Sequence, residues 1–87
     1  MFVLRRRVVA VEDGLSTVEG SLRARGYEVV RLHPDNLHSV DAVVVSGMDE
    51  NFLGQLETST RGKVVDAAGM NPQEVQGKLD SFFREMS

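Results

Sequence analysis

Apolar residues fall in short blocks along the 87-residue chain, separated by polar turns rich in Gly, Asp, Asn and Ser. Val8-Val9-Ala10-Val11 is a continuous apolar run without alternation, the pattern of a strand covered on both faces in a parallel sheet. Leu15, Val18 and Leu22 then recur at helical spacing, with Gly26 placed to stop the helix in a left-handed conformation. Ser16-Thr17-Val18-Glu19 has the form of a capping box at the start of that helix. Tyr27 to Leu32 is β-prone and is broken by His33-Pro34-Asp35-Asn36. Residues 34–40 leave little room for a crossover helix.

Asp41-Ala42-Val43-Val44-Val45 predicts a third strand, ended by Ser46-Gly47-Met48-Asp49. A short helix is expected over Glu50 to Glu57, burying Phe52, Leu53 and Leu56, although Gly54 weakens it by roughly 1 kcal/mol relative to Ala. Thr58 to Gly62 reads as a solvated polar turn, and Lys63 to Ala67 as a fourth strand. Asn71-Pro72-Gln73-Glu74 supplies a cap, a Pro at the first helical position and an acid at the third. Val75, Leu79, Phe82, Phe83 and Met86 line one face of the helix that follows. The alternation predicts a single α/β domain over residues 1–87. Its core is a small open four-stranded parallel sheet, order 2-1-3-4, with helices on both faces, a compressed flavodoxin-like or Rossmann-like arrangement.

Composition changes this picture only by exclusion. With no Cys, the chain has no disulfide, thiol nucleophile, thiolate-held zinc or iron–sulfur cluster. A net charge of −3 argues against a main role in neutralising phosphates, so nucleic acid is not the expected partner. The run Arg5-Arg6-Arg7 is the local exception, and it is read as solvating the entry to the first strand. No stretch has the length of a membrane span or the layout of a signal peptide, and a cytoplasmic location is expected.

A ligand crevice in such a sheet lies beyond the carboxyl ends of its strands, where strand order reverses. Asp13, Gly14 and Ser16 meet Ser46, Gly47, Asp49 and Asn51 there, with Gly69 next along. Free backbone N–H groups at helix starts suit a small anion or an acidic side chain of a protein partner. Gly, Ser, Asp and Asn serve such turns for purely conformational reasons as well. Neither a Walker loop nor a dinucleotide fingerprint is present, and no cofactor is expected. A phosphoacceptor site would need a carboxylate at the end of strand three, where Ser46 and Gly47 stand. His33 and His38 lack zinc-motif spacing, so no metal site and no catalytic residue is assigned.

The segments Val9 to Ser16, Gly26 to Val30, Asp41 to Gly54 and Val64 to Met70 together resemble the YkuS-like family of small bacterial proteins, found mostly in Gram-positive spore-formers. The resemblance runs from about Arg7 to Val75, leaving residues 1–5 as an N-terminal extension. It implies a stand-alone cytoplasmic protein and no particular activity. It also directs attention to Asn51 and Gly54, while the cysteines that some members have near the third strand are absent here. The favoured reading is a non-enzymatic module that binds a protein partner or small anionic ligand at the carboxyl edge. The alternative is a magnesium-dependent phosphate- or nucleotide-handling enzyme or regulatory domain using Asp13 and Asp49. Strand four, with Val64-Val65 at an exposed edge, is a candidate homodimer contact.

Overall fold

The computed structural model describes residues 7–47, 50–60 and 62–86. Four parallel strands form one sheet in the order β2-β1-β3-β4: β1 (Val8–Val11), β2 (Glu28–Arg31), β3 (Ala42–Val45) and β4 (Lys63–Asp66). Helices α1 (Ser16–Arg25), α2 (Glu50–Ser59) and α3 (Pro72–Met86) follow β1, β3 and β4. The β2–β3 connection contains only a 3₁₀ turn, Pro34–Asn36, as the short polar stretch predicts.

Central position explains the unbroken apolar runs. Val9, Ala10 and Val11 of β1 and all four residues of β3 are buried, because both sheet faces are covered. On one face Val9, Val11, Ala42 and Val44 pack against Leu22 of α1 and Leu79 of α3. On the other, Ala10, Val43 and Val45 meet Leu56 of α2 and Val40 of the β2–β3 connection. Truncating a fully buried Leu such as Leu22 or Leu79 to Ala should cost on the order of 2–5 kcal/mol.

The helix ends differ in how they are satisfied. Gly26 caps α1 at φ 107°, sending its N–H back to Arg23 and Leu22 carbonyls. The expected capping box at Ser16 does not form. Leu15 occupies the cap position and no side chain caps the helix; Ser16 is already its first helical residue, one position too far in. Glu19 instead pairs with Arg23 at 3.4 Å. At α3 the box is complete, with Glu74 N–H donating to Asn71 Oδ1 (2.8 Å) and Asn71 N–H to Glu74 Oε1 (3.1 Å).

Three expectations about α2 and the turn after it are corrected. The helix runs on to Ser59, so Thr58 and Ser59 are helical and not part of a turn. Thr60 is buried, and its hydroxyl donates to the Leu37 carbonyl (2.8 Å) while accepting the Gly62 N–H (3.1 Å). Phe52 was expected in the core with Leu53 and Leu56, yet it is 45% exposed. Leu53 and Leu56 already fill the sheet-facing stripe, and Phe52 lies about 100° away from Leu53 around the helix. The contribution expected of Met86 lies outside the described side chains, and Arg61 outside the described residues.

Opposite the carboxyl edge, α3 is tied to the α1–β2 turn. Asp80 accepts a hydrogen bond from the Tyr27 hydroxyl and another from Arg25 Nε (3.1 Å). Tyr27 and Phe83 rings lie 5.7 Å apart, and the Arg7 guanidinium sits 5.2 Å from the Phe83 centroid. Arg7 thus has a packing role; Arg5 and Arg6 lie outside the described residues. Burial, then the hydrogen bond and the negative charge of Asp80, push the Tyr27 hydroxyl well above its ordinary pKa, against the opposing charges of Arg25 and Arg7.

Candidate functional site

Because β1, β3 and β4 are neighbours, their following turns meet along one edge. Gly14, Gly47 and Gly69 adopt φ of 94°, 73° and 75° there, a left-handed conformation that any side chain would strain. A side chain at each of the three would meet open space, so it is backbone conformation and not crowding that favours Gly. Gly14 and Gly69 lie in the turns that lead into α1 and α3, and Gly47 follows the end of β3.

Within this edge the structure brings the sequence-derived residues together unevenly. Asp13 is exposed and lies 4.0 Å from Arg31 at the end of β2, so the edge spans all four strands. Gly14, Ser16 and Asn51 are also exposed, as are Gly47 and Gly69, while Ser46 is half-buried. Met48 and Asp49 lie outside the described residues, so the Asp13–Asp49 pairing does too. Gly54 is exposed within α2 and has open space around it.

Two strand-end carboxylates that are not among the candidate ligand-binding residues organise the centre. Glu12 Oε1 accepts the Ser46 N–H at 3.1 Å. Asp66 Oδ1 accepts the Gly47 N–H at 3.2 Å and the Ala68 N–H at 3.0 Å. Two backbone donors after β3, the Ser46 and Gly47 amides, are therefore already paired with negative groups. A phosphate approaching those two amides would have to displace a carboxylate and meet its charge at close range. One signal for this existed in the sequence: each acid sits at a strand terminus, Glu12 just after β1 and Asp66 at the end of β4.

The chemistry available at the edge is therefore acidic and partly apolar. Glu12, Asp13 and Asp66 lie at this edge, and of the three Asp13 has a cation, Arg31, within 4.0 Å among the described residues. The first turn of α2, which starts at this edge, presents Phe52, the one large hydrophobic residue exposed among the described residues. Among the described residues no three His, Asp or Glu side chains converge as metal ligands. His33 has a local use, its Nδ1 accepting the Asp35 N–H at 3.1 Å. Among the described residues no helix is long and apolar enough to cross a membrane.

Residues 7–81 match the model of the Uncharacterised protein family (UPF0180). The UPF0180 protein YkuS of Bacillus subtilis is 35% identical over 74 residues, covering 84% of this chain and 91% of that protein. A UPF0180 protein of Bacillus velezensis is 36% identical over 76 residues, with 86% and 94% covered. Another, from Bacillus pumilus, is 40% identical over 68 residues, with 77% and 85% covered. No solved structure matches the chain.

Proposed function

The chain belongs to the uncharacterised protein family UPF0180, and from that premise we propose that it is a non-enzymatic module binding a protein partner at the carboxyl edge of its sheet. The observation behind this reading is the pairing of the Ser46 and Gly47 amides with Glu12 and Asp66, beside an exposed Phe52. Internal carboxylates take the Ser46 and Gly47 amides, two donors that a small anion would otherwise use. They give the edge the character of an acidic rim next to an aromatic anchor. Aromatic residues, Phe included, are enriched at protein interfaces relative to the rest of the surface. The fitting partner surface is a basic one with an apolar pocket for the Phe52 ring.

The test compares the wild-type chain with Phe52→Ser and Asp13→Arg in affinity capture, alongside thermal melts with inorganic phosphate or nucleotides, with and without magnesium. The expected result is a partner retained by the wild type, weakened by salt, and lost in both variants while their melting temperatures stay unchanged. Capture that survives Phe52→Ser overturns the reading. So does a phosphate- or nucleotide-induced rise in melting temperature that Gly47→Val abolishes, which would instead support the anion- or magnesium-phosphate-binding alternative.

A further inference from the structure

We propose that the β4 edge and the groove beside α3 form a two-fold interface with a second copy of this chain. This surface is distinct from the carboxyl edge and does not rest on the function proposed for it. β4 ends the strand order, so among the described residues one side of its backbone has no neighbouring strand. Lys63 and Ala67 send their N–H groups to β3, at 3.2 Å to Asp41 O and 2.7 Å to Val45 O. By the alternation of a parallel ladder, Val64 and Asp66 direct theirs outward. An edge of this kind is ordinarily guarded by charge. Here the Lys63 ammonium is turned aside, lying 5.8 Å from the centroid of the Phe82 ring.

Beside the edge runs an open groove of about 400 Å³ lined by Lys63, Gly77, Lys78, Ser81, Phe82 and Glu85. Its charges select the occupant. Lys78 and Glu85 are exposed, seven residues apart on α3, and therefore on one face at a separation of roughly 10 Å along the axis. A two-fold rotation reverses α3, bringing Lys78 against Glu85 of the second copy and Glu85 against its Lys78. Gly77 and Ser81 between them are small and let the two surfaces approach, while Phe82 supplies apolar area. The same rotation sets the outward-facing Val64 opposite Val64 of the second copy in an antiparallel pair. One operation thus satisfies the open strand edge and both charges, as a self-complementary patch must.

Sedimentation equilibrium over a dilution series reads the outcome. The wild type should reach twice the chain mass. Lys78→Glu and Glu85→Lys should each raise the dissociation constant about tenfold or more, since each puts two like-charge contacts into the interface. The double variant Lys78→Glu/Glu85→Lys should restore dimerisation, with Phe52→Ser as an unaffected control. A wild type that stays monomeric throughout, a dimer indifferent to Lys78→Glu, or a double variant that fails to recover overturns the proposal. Circular dichroism of these surface variants confirms that each retains the fold.

Discussion

Gly62 stands where the chain passes from α2 to β4 against the start of β3. A Cβ added there would lie 2.4 Å from the Asp41 carbonyl oxygen, 2.5 Å from its carbon and 2.9 Å from the Ala42 nitrogen. Ordinary contacts need about 3.5–4.0 Å, so Gly62→Ala demands a shift of roughly 1 Å in backbone that cannot rotate away. The same Asp41 oxygen accepts the Lys63 N–H at 3.2 Å, which ties that shift to the β3–β4 ladder. Overpacking costs about 1–3 kcal/mol, and loosening the ladder bond adds about 1 kcal/mol. The lower chain entropy of Ala in the unfolded state returns roughly 0.4–1 kcal/mol. A net loss of about 1–3.5 kcal/mol follows, which on a domain of this size lowers the melting temperature by roughly 5–25 °C. Gly20→Ala and Gly54→Ala provide the contrast, since both sites lie in helices with open space around them. Each should gain about 0.5–1 kcal/mol. Urea titrations and thermal melts of the three variants decide the matter. Gly62→Ala within 0.5 kcal/mol of wild type, or Gly20→Ala falling as far, would refute the reasoning.

Tyr27 is the only Tyr and the chain has no Trp, so absorbance near 295 nm follows its ionisation alone. Because burial and Asp80 raise its pKa in the folded state, the unfolded chain loses this proton first as pH rises, from the ordinary value of about 10. Stability from this group is complete below that pH and is lost above it; Tyr27→Phe should flatten the alkaline fall. A tyrosinate signal at the ordinary pKa in the folded protein would sink this account. Asp41 Oδ2 accepts the Val8 N–H at 2.8 Å, so Asp41→Ala should cost about 1–3 kcal/mol in urea unfolding by leaving that amide unpaired. Asp41→Asn keeps an acceptor and should lose less than half as much; equal losses would show that the hydrogen bond is not the cause.

The chain's local patterns determined its elements and their order. Unbroken apolar runs at Val8–Val11 and Ala42–Val45 belong to strands that neighbours cover on both sides, and the parallel 2-1-3-4 order follows from how such strands alternate with helices. Gly26 and the Asn71–Glu74 box were legible because a cap acts within a few residues of itself. Ser16 misled for a related reason: a one-residue difference in where the helix begins moves the hydroxyl out of the cap position.

The character of the candidate site depended instead on contacts between distant segments. Glu12 reaches Ser46 across 34 residues, and Asp66 reaches Gly47 across 19, only because strand order and register place those strand ends side by side. Thr60 is buried by a carbonyl 23 residues away, and Phe52 is exposed because its neighbours on α2 had already filled the stripe facing the sheet. Periodicity records which face of an element is apolar. It does not record which polar group from another strand will arrive at a free amide, since that is set by the packing of the whole sheet. The sequence by itself therefore determined the scaffold, the edge where a site would lie and the acids at its strand ends, and tertiary structure alone decided that Glu12 and Asp66 take the Ser46 and Gly47 amides.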